Sequence, residues 1–174
     1  MGHDMTNQPA HEHKSQAPSS IGCLVITCSD TRTPETDTSG QRIIQALTDA
    51  GHRVVAYFIV KDEPGQILFR VGQGVANDEI QAVIINGGTG ISKRDSTFEA
   101  VDAMMDKRLA GFGEIFRYLT YREIGSPAIM SRATAGTVKN RVVFSIPGSE
   151  NAVKLAMEAL ILPELPHLVQ QLTK

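Results

Sequence analysis

The sequence has little of what membrane proteins, disulfide-rich proteins and nucleic-acid-binding proteins need. It has no tryptophan and only two cysteines among 174 residues. The longest apolar run, Val54 to Val60, is far shorter than the roughly 20 residues of a membrane-spanning helix. Seventeen basic residues face 19 acidic ones, which gives no support to a general attachment to nucleic acid or anionic lipid. Since the N-terminus also lacks the apolar core of a signal peptide, we expect a cytoplasmic protein with no nucleic-acid or membrane partner.

The two cysteines, Cys23 and Cys28, lie five residues apart in one apolar segment. On a strand this odd separation places them on opposite faces, which argues against a disulfide between them. We interpret them as small buried apolar residues of a reducing compartment. A catalytic Cys28 at the end of the strand is the alternative.

What is present is typical of one globular domain, with 41% hydrophobic and 21% charged residues. Residues 1–20 contain no Ile, Val, Leu or aromatic residue. We therefore interpret residues 1–20 as a disordered N-terminal tail and residues 21–174 as a single domain. His11 and His13 in this tail are interpreted as solvated side chains.

Apolar runs of strand length alternate with segments of helical periodicity after residue 20. The runs Ile21–Cys28, Arg53–Val60 and Ala82–Ile85 suit strands that are buried on both faces. Helical stripes follow Asp37 and begin at Pro64. This order and right-handed crossovers predict an α/β fold, a three-layer α/β/α sandwich with a mostly parallel sheet.

The second half of the chain predicts more helices and one more strand. Ser96 and Glu99 have the spacing of a capping box at a helix start. The glycine-rich segment 111–113 is expected to lead into a helix with Ile115, Phe116 and Leu119 on its apolar stripe. Val142–Ile146 is interpreted as a strand.

Ligands of open parallel sheets bind beyond the carboxyl ends of the strands. The predicted strands place four polar turns at that edge, so we expect the site among them. These turns are Ser29-Asp30-Thr31, Lys61-Asp62, the loop from Gly87 to Asp95, and Pro147-Gly148-Ser149.

The turn Gly87-Gly88-Thr89-Gly90 is the most informative of the four. Glycines after a strand let backbone N–H groups approach an anion, and a helix start follows close by. The turn is not a Walker A loop, because Gly90 is followed by Ile91-Ser92-Lys93 without the ending Gly-Lys-Ser/Thr. It is not a dinucleotide fingerprint either, because Lys93 stands where the third glycine of that motif is required. A phosphate site is the hypothesis, and a tight turn without a ligand is the alternative.

Charged residues accompany these glycines. Lys93 or Arg94 beside a phosphate would supply a countercharge, although surface pairs of this kind are commonly just solvated. Asp62 and Asp95 each lie in a loop after a strand, and carboxylates near phosphates hold Mg²⁺ in proteins. Both also suit helix caps, Asp62 for the helix at Pro64 and Asp95 for the next one.

Two further segments are candidates for anion binding. Ser131 and Arg132 form a polar stretch in apolar surroundings, and Arg132 is either a phosphate or carboxylate anchor or part of an intersubunit ion pair. Pro147, Gly148 and Ser149 end a strand and open a helix. Two such helix starts facing one cleft would suit a substrate with two phosphates.

Taken together, four ordered motifs resemble the MoaB/MogA family of molybdenum cofactor biosynthesis proteins, and Glu123-Ile124-Gly125 resembles its MoaB branch. The motifs are Gly87-Gly88-Thr89-Gly90-Ile91-Ser92-Lys93-Arg94-Asp95-Ser96-Thr97, Gly111-Phe112-Gly113-Glu114, Ser131-Arg132-Ala133 and Pro147-Gly148-Ser149.

The resemblance implies a molybdopterin-binding, MogA-like fold that assembles as a trimer or as a hexamer of two trimers. It implies adenylylation of molybdopterin by Mg-ATP, with Gly87 to Gly90 lining the cleft. Asp62 and Asp95 would be the functional acids that hold or orient Mg²⁺. A non-catalytic molybdopterin-binding or carrier protein is the alternative, and the presence of both acids argues against it.

Two departures from the family pattern concern loops. Thr97-Phe98 stands where many relatives have Thr-Pro, which removes a favourable proline but no chemical group. The first loop reads Ser29-Asp30-Thr31-Arg32, which puts an arginine contact there in doubt or shifts it by one residue. The same loop lacks the glycines that a nicotinamide-dependent dehydrogenase needs after its first strand.

Overall fold

The described part of the chain is built around one six-stranded sheet. The structure, a computed structural model, describes residues 17–174, so the tail predicted over residues 1–20 lies almost entirely outside the described residues. The strands are β1 (Gly22–Cys28), β2 (Arg53–Val60), β3 (Ala82–Asn86), β4 (Lys107–Arg108), β5 (Thr134–Val138) and β6 (Arg141–Ile146). The helices are α1 (Thr38–Asp49), α2 (Pro64–Ala76), α3 (Thr97–Met104), α4 (Ala110–Ile124), α5 (Glu150–Ala156) and α6 (Leu162–Leu172).

The sheet has the strand order β2-β1-β3-β6-β5-β4. Strand β1 pairs in parallel with β2 and β3, and β3 pairs in parallel with β6. Strand β5 is antiparallel to both β6 and β4. The prediction of a mostly parallel sheet is confirmed, and the carboxyl ends of four strands share one edge.

One apolar core lies on each face of this sheet. The first core packs α1, α4, α5 and α6 against the sheet, and the second packs α2 and α3 against its other face. Helices thus cover both faces, which confirms the three-layer sandwich. The first core includes Ile43, Phe116, Met157 and Leu165, and the second includes Ile67, Val71 and Val101.

The helix boundaries near the site follow from local chemistry. Asp37 caps α1, and its side chain accepts a hydrogen bond from the Gly40 N–H at 3.0 Å. Gly51 follows that helix with φ of 84°, as the predicted glycine at its end requires. Pro64 occupies the first turn of α2, after Glu63 at the N-cap.

Three local predictions for the second half are wrong. Ser96 precedes α3 but makes no capping hydrogen bond with its side chain, because its hydroxyl donates to Asp62 instead. The glycines 111–113 lie inside α4, which begins at Ala110. Of the predicted stripe, Phe116 is buried, but Ile115 is 49% exposed, because it lies on a face of α4 that the described residues leave uncovered.

Strands β4 and β5 were not predicted. The sequence of β5, Thr-Ala-Gly-Thr-Val, has small and polar side chains rather than the apolar run that marks β1 to β3. The segment is a strand because its backbone pairs with β6, and its side chains show no apolar pattern that would predict this. Lys139 and Asn140 turn the chain between them with φ of 46° and 60°, as a two-residue hairpin needs.

The two cysteines lie in different cores, as their spacing predicted. Cys23 packs in the first core and Cys28 in the second. Burial raises the pKa of each thiol to about 12. Because the thiolate is the reactive form, the alternative of a nucleophilic Cys28 is disfavoured.

We expect His52 to make stability depend on pH. This buried side chain accepts a hydrogen bond from the Ile21 N–H at Nδ1, and burial lowers its pKa below the ordinary value. The unfolded chain then binds the proton more tightly, so stability is complete above about pH 6.5 and falls as the pH drops toward the pKa of the folded state. Urea midpoints measured from pH 8 to 5.5 should show this loss.

The variant His52→Asn is the control, because its amide oxygen can accept from Ile21 and does not titrate. Its urea midpoint should fall less over the same pH range. Equal slopes in the two proteins would contradict the assignment to His52.

Candidate functional site

The four predicted loops meet at the carboxyl edge of the parallel strands. The Asp62 N–H donates to Asp30 Oδ1 at 3.3 Å, which joins the loops after β1 and β2. The Gly87 N–H donates to the Ile146 carbonyl at 3.1 Å, which joins the ends of β3 and β6. The convergence predicted from parallel strands is therefore present in the structure.

An open pocket of about 520 Å³ lies at this edge. The Gly-rich turn, Asp95, Ser131 and Gly148 line its polar part. The remaining wall is apolar. It consists of Ile124, Pro127 and Met130, from the end of α4 and the short 3-10 helix Ser126–Met130 that follows.

The turn needs its glycines for two reasons. Gly87 and Gly88 have φ of 95° and 64°, which L side chains rarely adopt. A Cβ on Gly88 would also lie 2.0 Å from Thr97 Oγ1 and 2.6 Å from Asp62 Oδ2. The N–H groups of Gly88 and Thr89 donate to no acceptor within residues 17–174, so they are available to an anion.

Asp62 fixes the start of the next helix. Its buried carboxylate accepts hydrogen bonds at Oδ1 from the Ser96 N–H, the Ser96 hydroxyl and the Thr97 hydroxyl, at 3.2, 3.0 and 3.1 Å. The interpretation of Asp62 as the cap of α2 is wrong, because Glu63 holds that position. Asp62 therefore fixes the two residues at which α3 begins from a distant part of the chain.

Asp95 presents its charge to the pocket. It accepts hydrogen bonds at Oδ2 from the Ser92 N–H at 3.0 Å and from the Ser92 hydroxyl at 2.5 Å. These bonds lower the pKa of the Asp95 carboxyl, so it is ionised at neutral pH. The alternative of Asp95 as a helix cap is wrong, since Ser96 precedes α3.

The two predicted cations have different surroundings. Arg94 forms an ion pair with Asp30, with 2.7 Å between Nη2 and Oδ2. This contact lowers the pKa of the Asp30 carboxyl. Lys93 is exposed and forms no ion pair with the residues that the structure describes. Neither Lys93 nor Arg94 is among the residues that line the pocket, and of the two only Lys93 is free of an ion pair within the described residues.

Arg132 has a third role, which the sequence did not predict. Its guanidinium donates to the carbonyls of Thr89 at 2.9 Å and Gly90 at 2.6 Å, pairs with Glu99 and stacks over the Phe98 ring. Its partners are thus the Gly-rich turn and α3 of the same chain. Glu99 and Phe98 were missed as site residues, because the spacing of Glu99 also fits a capping box.

Of the remaining predicted residues, Pro147 and Gly148 line the pocket, whereas Ser149 and Ser29 do not. Ser149 caps α5, and its hydroxyl accepts from the Ala152 N–H at 3.3 Å. Pro147 and Gly148 line the pocket directly before it. Ser29 accepts at its hydroxyl from the Thr31 and Arg32 N–H groups and so shapes the first loop.

The donor set fits Mg²⁺ that arrives with a nucleotide. Mg²⁺ in proteins typically takes one or two carboxylates and completes its shell with phosphates and water. Asp95 is the carboxylate at the pocket, whereas Asp62 Oδ1 is occupied by its three donors. Within residues 17–174, no three acidic, histidine or cysteine side chains form a cluster suited to a resident metal.

Comparison with known proteins identifies relatives over nearly the whole chain. Residues 24–167 match the family model described as "Probable molybdopterin binding domain". The molybdenum cofactor biosynthesis protein B of Bacillus subtilis (strain 168) is 55% identical over 164 residues, which cover 94% of this chain and 96% of the relative.

Solved structures show the same architecture. A crystal structure of molybdenum cofactor biosynthesis protein B superposes with a TM-score of 0.88 at 52% identity and covers 91% of this chain and 99% of its own. The tungsten cofactor synthesizing protein MoaB from Pyrococcus furiosus superposes with a TM-score of 0.82 at 37% identity and covers 91% and 100%.

We expect Gly88→Ala to be strongly destabilising. The added methyl group would overlap Thr97 and Asp62 at a positive φ, and strain of this kind costs about 1–3 kcal/mol. The free energy of unfolding in urea measures the loss.

Gly72→Ala is the matched control for this substitution. Gly72 lies within α2, and a Cβ there would have no neighbour within 4 Å. Alanine in that helix should leave stability unchanged or raise it. Similar unfolding free energies for the two variants would show that the turn tolerates a side chain.

Proposed function

Because the chain belongs to the MoaB/MogA family of molybdenum cofactor biosynthesis proteins, we propose that it binds molybdopterin and adenylylates it with Mg-ATP. The observation that carries the proposal is the pocket of about 520 Å³ at the carboxyl edge of the sheet. The Gly-rich turn with its free N–H groups, Asp95, and Gly148 just before α5 line this pocket. This arrangement suits two phosphate-bearing substrates.

The proposed reaction needs no nucleophile from the protein. A terminal phosphate oxygen of molybdopterin forms a bond to the α-phosphorus of ATP, and the bond from that phosphorus to the bridging oxygen of pyrophosphate breaks. The two anions repel each other, so catalysis depends on holding them in line. Gly88 and Thr89 would bind a phosphate oxygen through their N–H groups, and Lys93 would supply a countercharge.

Asp95 and Asp62 have different roles in this proposal. Asp95 would hold the Mg²⁺ of Mg-ATP, which neutralises charge on the departing pyrophosphate. Asp62 orients the turn through Ser96 and Thr97. Both residues implied by the family resemblance thus keep a role, one by direct contact and the other by positioning.

A carrier protein without catalysis is the second candidate. The observation that favours it is the occupation of Asp62 Oδ1 by hydrogen-bond donors of the same chain. A pocket with a single free carboxylate would still bind molybdopterin. A cytoplasmic location remains a prediction, and none of the helices within residues 17–174 is long and apolar enough to cross a membrane.

We further propose that the protein is a homo-oligomer, a trimer or a hexamer. Six large apolar residues are exposed on α4 and the 3-10 helix, and we call them the α4 face. A patch of this kind marks an interaction surface in soluble proteins. The residues are Ile115, Tyr118, Tyr121, Ile124, Ile129 and Met130.

Replacing Asp95 should strongly lower turnover and leave the fold intact. Asp95→Asn keeps an oxygen that can accept from Ser92 but removes the charge, so pyrophosphate release should fall by ~10²–10³. Asp62→Asn should lose stability as well as activity, because the amide accepts hydrogen bonds more weakly than the carboxylate. The assay mixes purified protein, molybdopterin, ATP and Mg²⁺ and measures pyrophosphate and adenylylated product.

Asp78→Asn serves as the control, because Asp78 is fully exposed and pairs only with Arg141. Wild-type turnover in Asp95→Asn would remove the role given to Asp95. Tight molybdopterin binding by the wild type without product would establish the carrier instead.

Charge on the α4 face should break the oligomer. Ile129 is 87% exposed, and we expect Ile129→Asp to lower the mass measured by light scattering to that of the single chain. Phe69→Asp is the control, because Phe69 is also exposed but lies on α2. Equal masses for both variants would show that the α4 face is not the contact.

A further inference from the structure

One acidic residue of α3 is connected to the Gly-rich turn through an arginine. Glu99 lies in the first turn of α3 and pairs with Arg132 twice, through Oε1 and Nη1 and, at 3.3 Å, through Oε2 and Nη2. Two parallel contacts of this kind fix the plane of a guanidinium group. Hydrogen bonds from Arg132 lower the pKa of the Glu99 carboxyl, so Glu99 is ionised at neutral pH.

Another edge of the same guanidinium group holds the turn. Nε of Arg132 donates to the Thr89 carbonyl at 2.9 Å, and Nη2 donates to the Gly90 carbonyl at 2.6 Å. The Phe98 ring covers one face, with 4.9 Å between its centroid and Arg132 Cζ. With the two contacts to Glu99, these bonds leave only one of the five N–H donors for any further acceptor. Arg132 is therefore built into the protein rather than free to bind a phosphate.

The carbonyls that Arg132 holds determine the direction of the neighbouring N–H group. In a planar trans peptide the C=O and the N–H point in opposite directions. Since the Thr89 carbonyl is turned toward Arg132, the Gly90 N–H points away from it. The Asp95 carboxylate lies against Gly90, because a Cβ there would be 2.6 Å from Oδ2 and 3.0 Å from Oδ1. Arg132 and Asp95 thus contact the same peptide group from different sides.

The three charged side chains alternate in sign. Arg132 attracts the negative charge of Asp95 across the turn, and its own charge is compensated by Glu99. An uncompensated cation near a metal-binding carboxylate weakens the attraction of that carboxylate for the metal. Glu99 therefore protects the negative charge of Asp95 as well as fixing Arg132.

We propose that Glu99 is a positioning residue: by holding and neutralising Arg132, it keeps the Gly-rich turn and Asp95 in the arrangement that binds Mg-ATP. The inference rests on the proposed function, which assigns the Mg²⁺ of Mg-ATP to Asp95. Glu99 is not among the described residues that line the pocket, so it acts through Arg132 and not by contact with a substrate.

The contribution of Glu99 to stability should be small. Its side chain is 60% exposed, and ion pairs of exposed side chains stabilise a fold only weakly. We therefore expect Glu99→Gln to unfold at nearly the same urea concentration as the wild type. Any large effect on binding then comes from the arrangement of the site.

The test is a calorimetric titration of the full chain with Mg-ATP and, separately, with ATP in EDTA. We expect Glu99→Gln to bind Mg-ATP about tenfold more weakly, because the turn is less fixed and the free charge of Arg132 acts on Asp95. Metal-free ATP should bind at least as tightly as it does to the wild type, because that same charge attracts the nucleotide. A substitution that merely loosened the fold would weaken both.

Asp102→Asn is the matched control. Asp102 also lies on α3 and pairs with an arginine, Arg108, at 2.9 Å. Its side-chain partners, Arg108 and Thr134, lie outside the Gly-rich turn. This variant should bind Mg-ATP as the wild type does. Glu99→Asp keeps the charge and should recover most of the affinity that Glu99→Gln loses.

The variant Arg132→Gln tests whether Glu99 acts through the arginine. It removes both the charge and the contacts that Glu99 is proposed to control. Adding Glu99→Gln to Arg132→Gln should then cause no further loss of Mg-ATP affinity. Losses that multiply in the double variant would show that Glu99 acts by another route.

The inference is overturned if the wild type does not bind Mg-ATP, or if Glu99→Gln binds it as tightly as the wild type. Equal losses for Mg-ATP and metal-free ATP would also overturn it, since they indicate a structural role alone. The expected binding pattern without adenylylated molybdopterin would remove the proposed reaction and leave this inference standing. Adenylylated product from the wild type, with unchanged Mg-ATP affinity in Glu99→Gln, would remove the inference and leave the reaction.

Discussion

The start of α3 is held from outside the helix by one buried carboxylate. Asp62, at the end of β2, accepts hydrogen bonds from Ser96 and Thr97. These two residues directly follow the Gly-rich loop, so fixing them fixes where the loop ends. Arg132 holds the middle of the loop through the carbonyls of Thr89 and Gly90. An irregular segment is thereby kept in one shape, in which the N–H groups of Gly88 and Thr89 donate to no acceptor within residues 17–174.

The sequence predicted the parts of this arrangement that depend on strand direction. Parallel strands bring their carboxyl ends to one edge whatever the register, so the meeting of Asp30, Asp62 and Gly87 followed from the order of elements alone. Arg132 could not be assigned in this way, because its partners lie 42 and 43 residues earlier in the chain. The prediction of a capping box at Ser96 was wrong for the same reason, because the Ser96 hydroxyl binds the carboxylate of Asp62, which is distant in the sequence.

Strand β5 shows a different limit of sequence patterns. Its residues are buried by pairing and by the helices above them, and small side chains fit there better than large ones. A Cβ on Gly136 would lie 2.4 Å from the Lys107 carbonyl of β4, so close packing rather than hydrophobicity selects the residue. A constraint of this kind does not produce a periodic pattern of apolar side chains, so the sequence pattern could not predict the strand. The exposed face of α4 is the opposite case, since its apolar periodicity is clear but none of the described residues covers it.

The central place of β6 has a consequence for the order of assembly. This strand lies between β3 and β5 although it comes after both in the chain. During synthesis from the N-terminus, β3 therefore has an open edge until residue 146 has left the ribosome. The site needs the end of β6 and Gly148, so a nascent or truncated chain can hold every acid of the site and still have no pocket. The pocket therefore forms only when β6 has completed the sheet.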